Sequence, residues 1–165
     1  MTRIQVQFSV SKVLIVMYTG AVGSLPLSSQ PPRPSSQSNA NILGTWKGDS
    51  ICVGSNRPAC KNEVVVYRFE EISGKPGKAM MFADKIVGGK REPMGKLECS
   101  VTGGSDVSCE FNINQTHGLW HYTLQGQSLD GTLVLLPRKE LIRTVNTRRA
   151  NEADLPAAPA KSDYE

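Results

Sequence analysis

Between Leu43 and Arg149 apolar and polar side chains alternate with a period of two, and Gly, Asn, Ser and Pro interrupt the alternation at short intervals. Successive side chains of a strand point to opposite faces, so this pattern predicts half-buried antiparallel strands. Strands are predicted at 43–52, 63–71, 79–87, 92–101, 106–113, 118–125, 128–136 and 140–149. No stretch keeps a helical period long enough to make a helix.

Two hairpins can be placed in register. The first turns at Gly103-Gly104. Pairing symmetrically about Gly104 sets Cys99 opposite Cys109, Leu97 opposite Phe111 and Val101 opposite Val107, all on one face. The other face then carries only polar residues, including Glu98, Ser100, Ser108 and Glu110. A slip of one residue would lose both faces together. The second hairpin turns at Gly126-Gln127, which suits a type II′ turn. It sets Leu124 opposite Leu129, Tyr122 opposite Gly131 and Trp120 opposite Leu133. The glycine leaves space for the tyrosine ring to lie across the sheet.

In the first strand Trp46, Gly48, Ser50 and Cys52 share a face, and in the second Val65, Tyr67 and Phe69 do. The third strand is two-sided: Met80, Phe82, Asp84 and Ile86 oppose Met81, Ala83, Lys85 and Val87. Either set fits the inside. Met94 falls on the outer parity of the fourth strand, and a bulge at Gly95 would return it to the core. Eight strands with one apolar face each must form two sheets or close, and closure removes the exposed edges. The expected fold is an all-β, eight-stranded antiparallel up-and-down barrel.

The flanks differ from this barrel. Arg3 and Lys12 precede the apolar run 13–22, and Ala21, Gly23 and Ser24 are small, which is the pattern of a cleaved signal peptide over 1–23. The apolar run is too short for a stable membrane span. Residues 24–41 read as a Pro/Ser-rich disordered linker, 42–149 as the barrel, and 150–165 as a disordered acidic tail. Export places the cysteines in an oxidising compartment, where disulfides are the default. Cys99–Cys109 follows from the hairpin register, and Cys52–Cys60 follows by elimination. Each closes a loop of about ten residues, which contributes roughly 2–3 kcal/mol in the chain-entropy model. Zinc is disfavoured, because no C-x-x-C spacing exists and neither histidine lies near a cysteine.

The net charge is +4. The cations scatter over turns and outward faces, without the clustering and stacking aromatics of a nucleic-acid footprint. In the tail Lys161 stands against Glu152, Asp154, Asp163 and Glu165.

Leu43-Gly44-Thr45-Trp46-Lys47-Gly48 followed by these strands resembles the lipocalin-like proteins of the calycin superfamily. Cys52, Cys60, Val64-Val65-Val66-Tyr67, Met94-Gly95-x-Leu97-x-Cys99 and Tyr122-x-Leu124-x-Gly126 make it look most like small secreted bacterial members. The resemblance covers about 43–149. It implies that Gly44 and Trp46 seal one end of the barrel and that a basic residue of the last strand packs over the indole. Parity selects Arg143 or Arg149, and position favours Arg149, with Arg148 the remaining alternative. The chain departs from lipocalins in having no helix after the barrel. It departs from fatty-acid-binding proteins in having too few residues at 53–62 for a helical pair.

Catalytic chemistry is sparse. No nucleophile elbow, phosphate loop or metalloprotease motif is present. In a strand His117 and His121 stand about 13 Å apart, too far to share one metal, and both have outward parity. Asp84 is the one acid that either faces inward or pairs on the outside. No enzyme, metal or cofactor is expected, and no nucleic-acid partner. The leading expectation is an exported monomer that binds a small apolar ligand among Tyr67, Phe69, Phe111, Trp120 and Tyr122, with Gly48 and Gly131 leaving a void. The alternative is a periplasmic or extracellular protein-interaction barrel, an inhibitor or envelope accessory, with a packed interior and loop 53–59 as its contact. Cavity volume separates the two.

Overall fold

A computed structural model describes residues 41–53 and 58–164. The expected signal peptide, nearly all of the linker and residues 54–57 of the loop lie outside the described residues. The described residues fall within one compact unit, which contains the barrel.

The strands are β1 (Gly44–Cys52), β2 (Glu63–Glu71), β3 (Lys78–Val87), β4 (Lys90–Thr102), β5 (Asp106–Ile113), β6 (Thr116–Gln125), β7 (Ser128–Leu135) and β8 (Glu140–Ala150). Each pairs antiparallel with its sequence neighbours, and β8 pairs with β1, so the sheet closes into an eight-stranded up-and-down barrel. Disulfides join Cys52 to Cys60 and Cys99 to Cys109.

Both hairpin registers match the sequence reading near their turns. Cys99 faces Cys109 and Val101 faces Val107. Leu124, Tyr122 and Trp120 face Leu129, Gly131 and Leu133. The β4–β5 ladder stops at Cys99, however, so the expected Leu97–Phe111 pair does not form. The cause lies on the other edge of β4. That strand follows β3 from Lys78↔Ser100 to Val87↔Lys90, with a bulge that leaves Met94 unpaired between Ala83↔Gly95 and Asp84↔Pro93. A bulge bends its strand, and beyond Cys99 β4 pairs with β3 alone. Met94 does not return to the core; it remains 42% exposed.

The two-sided third strand is resolved by a second layer. Ala79 and Met81 are buried in the interior cluster. Phe82 and Asp84 point out of the barrel, yet both are buried too. The chain after β8 covers them. It runs through short 3-10 turns at Glu152–Asp154 and Lys161–Asp163, and Tyr164 at its end is fully buried. The ring of Tyr164 meets Phe82 edge-on at 5.1 Å, and its hydroxyl donates to Asp84 Oδ1 at 2.6 Å. Arg91 Nε donates to Asp84 Oδ2 at 2.8 Å, and Arg91 also pairs with Glu152, which accepts from Thr45 Oγ1 at 2.7 Å. The expectation of a disordered tail therefore fails for 151–164. The Tyr164 anchor and the ion pairs Glu152–Arg91 and Lys161–Glu70 hold that segment against the outer face of β1 to β4.

At the end of the barrel where β1 begins, Trp46 Nε1 donates to the Ile42 carbonyl at 2.9 Å. Arg149 lies over the indole, 4.2 Å from its centroid, and donates to the carbonyls of Leu43 and Asn41. Arg148 is exposed. Arg143 is at the other end, where it donates to Ser50 Oγ and the Lys61 carbonyl and pairs with Glu63. Gly44 adopts φ +111°, and a Cβ there would stand 2.8 Å from the Arg149 guanidinium.

Candidate functional site

Inward side chains stack in layers along the barrel axis. Nearest the sealed end Trp46, Phe69, Val101, Val107, Leu129 and Val145 pack without exposure above a few per cent. An aromatic layer follows. Trp120 stacks on Tyr122 at 5.7 Å with an 11° interplanar angle, and Tyr67 meets Tyr122 edge-on at 5.6 Å. Phe69 lies beneath Tyr122 at 6.1 Å. Above Tyr67 and Trp120 the interior opens into a cavity of about 410 Å³.

Its walls come from five strands besides β2. Met81 and Ala83 line it from β3, Met94 to Leu97 from β4, Phe111 and Ile113 from β5, Trp120 from β6 and Leu133 from β7. The gap between β4 and β5 lies along this wall, because the strands are unpaired with each other beyond Cys99 and Cys109. The bulge and the short ladder thus give the cavity its opening.

The structure brings Tyr67, Phe111 and Trp120 together in the cavity wall. Phe69 and Tyr122 are absent from it; they are buried in the layer below and support the floor. Sequence reasoning missed Met81, Ala83, Leu97 and Leu133, although each falls on the inward parity. It chose aromatics by bulk and not by depth along the barrel. The proposed voids at Gly48 and Gly131 are filled. A Cβ at Gly48 would meet the Asn146 carbonyl of β8 at 2.1 Å, and one at Gly131 would meet the Tyr122 ring at 2.4 Å. Gly118 is covered in the same way by Phe111. These glycines let rings or backbone approach closely.

The cavity is electrostatically quiet. Burial pushes the Tyr67 hydroxyl up to about 12 and the Tyr122 hydroxyl well above its ordinary value, so both stay neutral phenols. Among the described lining residues there is no carboxylate, imidazole or thiol, and Lys96 is the one charged group. The arrangement can shed water from an apolar molecule and offer it aromatic faces and a phenol.

The histidines stand apart from this. His117 pairs with Glu110 on the outside, and His121 lies 3.8 Å from Asp106. No group of three metal-ligating side chains occurs among the described residues.

No protein-family model matches the chain, and no curated protein matches it. Among solved structures a redesigned β-barrel aligns with a TM-score of 0.52 at 11% identity, over 71% of this chain and 98% of its own. Fatty-acid-binding protein 1 of Echinococcus granulosus aligns with a TM-score of 0.46 at 12% identity, over 68% of this chain and 99% of its own. The likeness is one of fold: a small closed β-barrel.

Proposed function

We propose that this chain is an exported, lipocalin-like binding protein that holds a small apolar molecule in the unsealed half of its barrel and carries out no reaction. The cavity of about 410 Å³ supports the reading. It falls within the ~300–1,000 Å³ range of small-molecule sites and has their apolar, aromatic character. A protein-interaction barrel with a filled interior is the poorer fit to that volume. Its candidate contact, loop 53–59, lies partly outside the described residues.

Titration with an uncharged apolar fluorophore tests the reading. Saturable one-to-one binding is expected, with energy transfer from Trp120, and an Ala83→Phe variant that fills the space should lose at least tenfold in affinity. Unsaturable binding, or equal binding by the variant, would overturn it. The two disulfides and the 1–23 leader pattern support export. Amino-terminal sequencing of protein recovered from the cell envelope should start near Ser24; recovery in the cytosol with Met1 intact would refute export.

A further inference from the structure

The large apolar side chains that the barrel leaves in solvent share one end. Among the described residues, Ile51, Val53 and Val64 stand where β1 gives way to β2. Val87 and Met94 flank the β3–β4 turn. Ile113 closes β5, and Leu141 opens β8. All are at the end opposite Trp46, and none is at the sealed end. Met94 and Ile113 also line the cavity, on the two strands that flank the β4–β5 gap, so the apolar ring reaches its opening.

Cations accompany the apolar ring. The described connections at this end carry Lys61, Arg138 and Lys139 and no carboxylate, and Lys90 follows the β3–β4 turn. Glu63 and Glu92 nearby are taken up by Arg143 and Lys85; Asp49, opposite Val64, and Glu140 are the other acids there. At the sealed end Lys75 is bound to Glu98, Arg149 is held over Trp46, Arg148 is exposed, and the acidic segment 151–164 leaves the barrel from that end.

From this we infer that the unsealed end is a docking face for an anionic membrane surface. A ring of single apolar side chains spread over several hairpins offers no groove for a peptide. It does present several short insertions at one end, backed by cations that match acidic headgroups. No helix among the described residues is long and apolar enough to cross a membrane, and this attachment needs none. The inference rests on the proposed ligand reading only for its purpose, the passage of an apolar molecule between bilayer and cavity.

Flotation of the full chain with phosphatidylcholine vesicles, with and without phosphatidylglycerol, provides the test. Association is expected with the anionic vesicles and should weaken as salt is raised. Arg138→Glu/Lys139→Glu should reduce it by roughly tenfold or more, and Ile113→Ser/Leu141→Ser should reduce it as well. Lys75→Glu at the sealed end should leave it unchanged. No association, or association insensitive to the rim substitutions, would overturn the inference. So would self-association abolished by the same apolar substitutions, which would assign the ring to a second copy. Fluorophore titration without vesicles keeps the two readings apart. Probe binding without vesicle binding removes the docking face alone, and vesicle binding without probe binding removes the ligand alone.

Discussion

Asp84 and Arg91 show how one residue pair can bind two layers together. Both side chains are fully buried outside the barrel, and the Asp84 carboxylate accepts from Arg91 and from Tyr164. Breaking a buried ion pair on one side leaves an uncompensated charge, which costs about 3–5 kcal/mol. Asp84→Ala should therefore lower the urea midpoint strongly, while Asp84→Ala/Arg91→Met should recover most of the loss because no charge remains buried. A double-mutant cycle that sums additively would contradict this account. Arg149 is a milder case, since its guanidinium is exposed. Arg149→Ala removes a cation over the Trp46 ring and two hydrogen bonds to carbonyls, and about 1 kcal/mol should be lost in the same assay. Arg149→Lys should restore only part of it, because an ammonium cannot span both carbonyls and still stack.

At the level of elements, the segment 151–164 behaves as an added outer strap with its own pH window. Desolvation pushes the Glu152 carboxyl up, but the Thr45 hydroxyl and the Arg91 guanidinium outweigh it, and its pKa lies below the ordinary range. Its contribution is present above the unfolded value of about 4.3 and is lost as pH falls through the lower folded value. Desolvation and the Asp84 carboxylate push the Tyr164 hydroxyl up. That contribution is present below the unfolded value of about 10 and is lost as pH rises through the higher folded one. Ala157 and Ala158 resonances should hold bound-state shifts at neutral pH and move toward random-coil values at both extremes; constant shifts would show that neither group holds the strap. The strands were legible because a period of two survives wherever one face meets a core. The strap was not, because Leu155-Pro156-Ala157-Ala158-Pro159 has no periodicity and its anchor is a single tyrosine. A signal did exist in β3 and β2. Phe82 and Val66 sit on the outward parity and are buried all the same. Apolar residues on both faces of a strand indicate a covering layer, and no further strand was left in the sequence to supply it.

At the scale of the whole barrel, the interior divides along the axis into a packed half and a hollow half, and the division follows from where β4 changes partners. Below Cys99–Cys109 the barrel is closed by paired strands and by the layer of Trp46, Phe69 and Tyr122. Above it β4 keeps only β3, and the wall beside the cavity has no β4–β5 hydrogen bonds in its ladder. Alternation could not reveal this, since Leu97 and Phe111 carry the right parity for a pair that the Met94–Gly95 bulge pulls apart. Backbone groups without a ladder partner exchange through smaller local openings than those in a complete ladder. Amide exchange of Glu110 and Asn112, whose N–H groups face β4 beyond the last pair, should be faster than that of Ser100 and Ser108. An apolar ligand in the cavity should slow it, because only the native state binds and the stabilisation grows as RT ln(1 + [L]/Kd). Reduction of Cys99–Cys109 should act in the opposite direction. That bond closes the last pair of the ladder and contributes roughly 2–3 kcal/mol, so its loss lets the gap widen toward the sealed end. If ligand protects Ser100 and Ser108 but leaves the gap strands unchanged, the opening between β4 and β5 is not the ligand's route.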